Sequence, residues 1–142
     1  MGSYVDTASV VTASQMAVVG GLMSYTKSPL DGTQLNATLD ILTTSGGLNF
    51  YPTHLIVTAT NAAGAFVSAS SISLGAGGST INLLGATVLT GLNATNLFLV
   101  IPLPLVATRV ASGQTITAKI TTAVVGLSTL TLQLTVAGFY AA

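Results

Sequence analysis

The chain has 142 residues, the size of one domain, and only 4% of them are charged, against about 25% in an ordinary globular domain. Its formal net charge is zero, so it lacks the clustered Lys and Arg that binding to nucleic acid or anionic lipid requires. It contains no Cys, which excludes disulfides, thiolate metal sites and a Cys nucleophile. Half of the residues are apolar, which is far too many for a disordered chain.

The first 21 residues differ from the rest of the chain. Apolar and β-branched residues are frequent from 4 to 19 but do not alternate with polar ones, and Gly20 and Gly21 close the stretch. Thr and Val disfavour a helix because their side chains crowd the preceding turn. We interpret residues 1–21 as an extended N-terminal arm or edge strand that engages a neighbour, with a short helix over 13–19 as the alternative.

Residues 22–142 are predicted to form a single domain, an antiparallel β-sandwich or barrel. Apolar and polar residues alternate over 35–41, 116–122 and 129–136, which is the pattern of a half-buried strand. Eight or nine strands spaced roughly 8–12 residues apart are typical of all-β folds. Further strands are predicted at 55–60, 66–74, 81–84, 87–90 and 97–101, with breaks or turns at 46–47, 61–64, 75–78 and 125–128.

The apolar segments are too short and too often interrupted to predict a transmembrane helix. Such a helix needs about 20 consecutive apolar residues. The longest run, 97–106, has ten residues, and Pro102 and Pro104 within it favour an extended segment. The N-terminus shows no basic stretch ahead of an apolar one, so we expect no secretory signal and no membrane association.

His54 is the sole histidine and therefore the one candidate for a general base in a Ser-His-Asp hydrolase. It stands at the start of a predicted strand, on the face of Ile56 and opposite to Leu55 and Val57. The sequence has no G-x-S-x-G nucleophile elbow. We interpret His54 as a strand-edge residue that bonds to backbone or water, and we predict no catalytic residue.

The acidic residues are also weak candidates for a site. A carboxylate pair needs a separation of roughly 5–10 Å, and Ca²⁺ takes six to eight oxygens, several of them from carboxylates. The chain has three acids, Asp6, Asp31 and Asp40. Asp31 precedes Gly32 in a predicted turn, and Asp40 falls on the polar parity of the strand over 35–41. We interpret both as turn and surface residues and predict no metal site.

Residues 21–28 read G-L-M-S-Y-T-K-S, one substitution away from the phosphate loop G-x-x-x-x-G-K-[ST]. Thr26 replaces the second glycine, whose backbone freedom lets N–H groups face a phosphate. Pro29 and the pair Asp31-Gly32 then turn the chain, so no helix follows. We interpret the match as a coincidence and predict no bound cofactor.

Three segments carry a resemblance to a known class of protein: FYPTHLIVTATNAAG (50–64), VSASSISLGAGG (67–78) and SGQTITAKITTAVVGLSTLTLQLTVAGFY (112–140). Their features are an aromatic-Pro entry to a strand, an Asn-Ala-Gly turn, a Ser-Gly-Gln entry to the penultimate strand and a Val-x-Gly-aromatic ending. In these the chain resembles small bacteriophage virion β-sandwiches, in particular jelly-roll head-decoration (cement) proteins and related tail-associated proteins. The resemblance implies a trimeric or otherwise symmetric accessory protein that binds an assembled shell, and it carries over no catalytic residue.

The composition favours the same hypothesis independently. A small domain with few charges and zero net charge tends to self-associate, and permanent interfaces resemble a core cut in half. We therefore predict a jelly-roll-like structural protein of the virion, a homotrimer that decorates the capsid and binds the major capsid protein or another virion protein. The alternatives are a tail or spike component, and a carbohydrate-binding or adhesin module on a similar sandwich. An enzyme is the least favoured class.

Overall fold

The computed structural model describes residues 22–92, 98–104 and 109–142, which form eight β-strands in two antiparallel four-stranded sheets. Sheet A has the strand order β1-β8-β3-β6 and sheet B the order β2-β7-β4-β5. The predicted all-β sandwich is confirmed, whereas the predicted N-terminal arm, residues 1–21, lies outside the described residues. The strands are β1 (Met23–Asp31), β2 (Thr38–Thr43), β3 (Asn49–Ser68), β4 (Ser71–Ala76), β5 (Leu84–Val88), β6 (Phe98–Pro102), β7 (Thr115–Thr122) and β8 (Val125–Ala141).

The strands pair from the outside of the sequence inwards. β1 pairs with β8, β2 with β7, β3 with β6 and β4 with β5. This nesting is the result of folding one long hairpin over into two sheets, and it is the topology of a jelly roll. Successive strands therefore alternate between the two sheets, except that β4 and β5 form a hairpin within sheet B.

The core lies between the sheets and is built by the alternation that the sequence shows in its last two strands. Ile116 and Ile120 of β7 and Leu130, Leu132 and Leu134 of β8 are at most 1% exposed. The Thr and Gln residues between them point to the outer faces of the sheets. Each buried Leu or Ile contributes roughly 1.5–3 kcal/mol, so these two strands supply much of the stability of the sandwich.

β3 and β8 are longer than the sequence predicted. The segments 61–64 and 125–128 were expected to be turns, but both lie inside these two strands, which continue to pair with each other as far as Ser68 and Val125. Gly64 and Gly126 have φ values of 110° and 96°, and the register shifts beside Gly64. These glycines therefore accompany irregularities within the ladder, as isolated glycines in strands often do, and the chain does not reverse there.

Four other expectations about the strands were wrong. The segment 66–74 is divided because the chain leaves sheet A after Ser68 and enters sheet B at Ser71. The segments 81–84 and 87–90 are replaced by the single strand β5. β1 was not predicted at all, because its register shifts between Lys27 and Leu30 and breaks the alternation. Leu35 lies before β2 and is exposed, so the predicted strand begins too early.

Three aromatic rings pack together near one end of the core. Phe50 of β3 is fully buried, and its ring centroid lies 5.8 Å from that of Tyr25 and 5.0 Å from that of Tyr140. A hydrogen bond of 3.1 Å joins the Tyr25 and Tyr140 hydroxyls. Burial, followed by the hydrogen bond and the charge interaction with Tyr25, raises the pKa of Tyr140 to about 12. The fold therefore favours the neutral phenol.

Gly126→Ala should destabilise the protein by about 2–4 kcal/mol, because an added Cβ would collide with the carbonyl oxygen of Ala65 and because φ is positive there. Gly85→Ala in β5 is the control, since it has no positive φ and no atom within 4 Å of an added Cβ. Urea unfolding followed by circular dichroism measures both changes. Equal stabilities of the two variants would contradict the close approach of β3 and β8 at Gly126.

The free energy of unfolding should be nearly constant between about pH 5 and 9, because the chain contains one His and no Cys. It should fall as the pH rises from 10 towards 12, because the unfolded chain then releases the Tyr140 proton and the folded chain still holds it. Tyr140→Phe should remove this part of the alkaline loss. Tyr51→Phe, on the outer face of sheet A, is the control and should retain it.

Candidate functional site

His54 lies on the outer face of sheet A, as its parity predicted. Its side chain and that of Ile56 point outward, whereas Leu55 and Val57 are fully buried. The Nδ1 atom of His54 lies 3.0 Å from the Thr53 hydroxyl. Its cross-strand neighbours are Pro102 and Ala137, and neither can exchange a proton with the imidazole.

The two described acids lie in different sheets, because Asp31 ends β1 in sheet A and Asp40 lies on β2 in sheet B. Asp31 Oδ1 accepts hydrogen bonds from the Thr33 amide (2.9 Å) and hydroxyl (2.6 Å), the geometry of an Asx turn. Asp40 Oδ1 accepts one from the Thr117 hydroxyl over 2.7 Å. Within residues 22–92, 98–104 and 109–142, no cluster of three or more His, Cys, Asp or Glu could hold a metal.

The segment that resembles a phosphate loop is strand backbone over its described part. Residues 23–27 of β1 pair with β8 from Gly138 to Leu134. Their main-chain groups belong to an antiparallel ladder, whereas a phosphate cradle needs a loop ahead of a helix. The described portion of the chain also contains no helix long and apolar enough to span a membrane.

A surface without Asp, Glu, Lys or Arg covers the middle of sheet A on its outer side, and we call it the sheet A face. The register places its residues in three cross-strand rows. Thr, Ser and Ala dominate at the β1 and β8 side, and apolar residues dominate at the β6 side. The rows are Ser24, Ala137, His54 and Pro102; Thr26, Thr135, Ile56 and Val100; and Gln133, Thr58 and Phe98.

The β6 margin is the most apolar part of the sheet A face. Phe98 is 60% exposed and Val100 is 52% exposed, whereas Leu99 and Ile101 between them pack against the core. Among the described strands, β6 lies at one edge of sheet A. Sheet margins of soluble monomers are usually protected by charged side chains, and β6 carries none. This margin therefore has the character of an interface.

The outer face of sheet B differs from the sheet A face in its charge. Asp40 of β2 and Lys119 of β7 both lie on it, and Thr117 bonds to Asp40. At its centre Ser73 of β4 is fully buried and its hydroxyl has no hydrogen-bond partner. The two outer faces are thus unequal, because the three rows of the sheet A face contain no charged residue.

One end of sheet A carries an aromatic pair beside a cation. The rings of Tyr51 and Phe139 are stacked with centroids 5.4 Å apart and planes inclined by 16°. Val110 forms an antiparallel bridge with Phe50, so Arg109 comes opposite Tyr51 on the outer side. Arg109 is exposed, and its Nη1 donates a long hydrogen bond of 3.5 Å to Asn49 Oδ1.

The opposite end of the sandwich holds a cleft of about 520 Å³. It lies where the connection from β1 to β2 passes the first half of β8. Its apolar part includes Leu30, which is 1% exposed, and its polar part carries one carboxylate. Its lining residues include Pro29, Leu30, Asp31, Gln34, Thr38 and Thr129.

Sequence reasoning identified none of these surfaces. The strand at 97–101 was predicted, but both of its parities are apolar, so the alternation could not show that Phe98 and Val100 face outward. The cleft combines residues more than ninety positions apart. The one available signal was the Thr-rich parity of 129–136, which marks the outer side of β8 in the centre of the sheet A face.

No protein-family model matches the chain, and no curated protein matches it. Two solved structures are similar in fold. A chain of the cyanophage Pam1 capsid asymmetric unit aligns with a TM-score of 0.58 and 10% identity, over 85% of this chain and 85% of that chain. A chain of the capsid of Ralstonia phage GP4 aligns with a TM-score of 0.56 and 11% identity, over 99% of this chain and 90% of that one. The resemblance to phage virion β-sandwiches is therefore confirmed at the level of the fold.

Proposed function

We propose that this protein is a structural component of a phage virion, a decoration (cement) protein that binds an assembled capsid through the sheet A face and self-associates into a closed homo-oligomer, a trimer. The observation that carries the proposal is the combination of a jelly-roll fold, shared with chains of phage capsids, with the sheet A face, whose rows hold no charged residue and are apolar at the β6 margin. The proposed role requires no catalytic residue and no cofactor.

The fold comparison supports a location in the shell. Both similar chains belong to phage capsid structures, and each alignment covers most of the partner chain, so those chains are close to this one in length. A chain of this size forms one small sandwich. It fits an accessory protein on a shell, while a tail or spike position is the alternative that electron microscopy of the particles would distinguish.

The chemistry of the sheet A face supports a permanent contact. Exposed apolar side chains such as Phe98 and Val100 gain free energy when they leave water, roughly 25 cal/mol for each Å² buried. The Thr and Ser hydroxyls of the remaining rows can exchange hydrogen bonds with water for bonds to a partner. Because the rows hold no Asp, Glu, Lys or Arg, docking desolvates no permanent charge, a step that is often costly.

A carbohydrate-binding role is the second candidate, and one observation favours it. Tyr51 and Phe139 lie on the outer side of sheet A near the donors of Arg109 and the amide of Asn49. Sugar sites often combine aromatic faces with such groups. The two rings stack on each other and are half-buried, which leaves less ring surface for a sugar, so we place this function second. Binding to a glycan array distinguishes the two proposals.

Val100→Lys should abolish or strongly reduce incorporation into particles while leaving the fold intact, because it puts a charge on the apolar β6 margin of the sheet A face. Val88→Lys is the matched control, since Val88 is a similarly exposed Val (57%) on β5, the margin strand of sheet B. Sedimentation velocity and electron microscopy of particles assembled with each variant provide the measurements. Equal occupancy of the two variants on particles would contradict the assignment of the sheet A face.

Deletion of residues 1–21 should leave a folded sandwich with weaker assembly. We propose that this segment is an arm that contacts a neighbouring copy or the shell, because it is apolar and lacks the alternation of a strand within a sheet. Circular dichroism and thermal unfolding test the fold, and sedimentation tests assembly. If the truncated chain assembled and attached to the shell as well as the full chain, the proposed contact of residues 1–21 would be wrong.

A further inference from the structure

The cleft at the β1–β2 end contains a carboxylate with unused capacity. Asp31 Oδ1 is occupied by two hydrogen bonds from Thr33, which leaves Oδ2 as an acceptor. Asp31 is exposed, and Gln34, Thr38 and Thr129 add polar groups around it. In the described part of the chain no cation is among its hydrogen-bond partners. Such a cleft fits a donor-rich cationic group better than a second anion.

A matching cation lies at the other end of the same sheet. Asp31 pairs with Thr131 of β8, whereas Phe50, beside Arg109, pairs with Tyr140. These positions on β8 are about 30 Å apart at the rise of an extended strand. Within the described residues, the Arg109 side chain makes one long hydrogen bond, to Asn49, which uses one of its five N–H donors. The two groups are therefore too distant to meet within one molecule.

We propose that Arg109 of one copy inserts its guanidinium into the Asp31 cleft of the next copy. Such a head-to-tail contact joins two different surfaces, and repeated around an axis it closes into a ring. The contact sets the order and orientation of the copies in the homo-oligomer. This inference rests on the proposed self-association and does not depend on attachment to a shell.

The other described charges fit this role less well. Asp40 and Lys119 lie on the same outer face of sheet B, in neighbouring rows, and Asp40 already accepts a hydrogen bond from Thr117. Lys27 lies on β1 and pairs with Leu134, three residues along β8 from the partner of Asp31. Its strand position is therefore about 10 Å from that of Asp31, and Lys27 does not line the cleft. Arg109 also presents a planar fork that matches a carboxylate, which Lys does not.

A double-mutant cycle on the full chain tests the contact. Asp31→Asn keeps the acceptor for Thr33 and removes the charge, and Arg109→Gln removes the cation. Each should raise the dissociation constant of self-association about fivefold, and the double variant should weaken it no further than either single variant. Asp40→Asn is the control and should have no effect. Sedimentation equilibrium gives the constants, and thermal unfolding verifies that every variant is folded.

Salt provides an independent readout of the same pair. Raising the NaCl concentration should weaken association of the natural chain more than that of Asp31→Asn, because screening acts on the charge pair. Unchanged dissociation constants in both single variants, or effects that multiply in the double variant, would overturn the Arg109–Asp31 contact while leaving the proposed oligomer. A natural chain that stays monomeric at micromolar concentration would overturn the oligomer itself, and the contact with it.

Discussion

The pairing of β3 with β8 is the constraint on which the rest of the sandwich depends. This ladder runs from Asn49 opposite Ala141 to Ser68 opposite Val125, and β1 and β6 attach to its two sides. Its register sends Leu55, Val57 and their partners into the core and sends Ile56 with Thr135 outward. A slip of one residue would exchange the two faces of a strand. The core and the sheet A face are thus two consequences of one register.

The charged residues are distributed unevenly between the two outer faces of the sandwich. In a sandwich with five charged residues in its described part, the outer face of sheet B holds two, and the rows of the sheet A face hold none. Soluble domains usually rely on charged surfaces to remain apart. A chain that lacks charged residues over the sheet A face is suited to a setting in which that face is covered. In the proposed contact, the apolar β6 margin of the sheet A face would contribute most of the binding free energy. The hydroxyl-rich centre of the face would form hydrogen bonds that fix the position of the partner.

The sequence predicted strands and their orientation well where a strand has one buried and one solvent-exposed face. The alternation over 116–122 and 129–136 gave β7 and β8 and the correct orientation of both, because Ile and Leu alternate there with Thr, Lys and Gln. It failed at β1, where the register shifts between Lys27 and Leu30. It also failed at Gly64 and Gly126, because an Asn-Ala-Ala-Gly segment has the composition of a turn, while the structure uses its glycine for close contact between strands.

The candidate surfaces were beyond sequence reasoning for a different reason. The sheet A face is defined by lateral neighbours, such as Val100 beside Ile56 and Ile56 beside Thr135, that are about forty and eighty positions apart in the chain. Local periodicity predicts which face of its own strand a residue lies on. It does not predict which strand lies beside it in the sheet. The resemblance to virion sandwiches supplied the missing global information, since it implied the jelly roll that brings these strands together.

The nested strand order also has a consequence for biosynthesis. β8 is the central partner of both β1 and β3, yet it leaves the ribosome after all the other strands. Until it arrives, β1 lacks its only described sheet partner and β3 lacks its longest one, so sheet A cannot form cotranslationally strand by strand. Contacts between such distant segments are slow to form, and unpaired apolar strands are open to aggregation in the meantime. The nascent chain is therefore most exposed to misassembly just before the synthesis of its last described strand is complete.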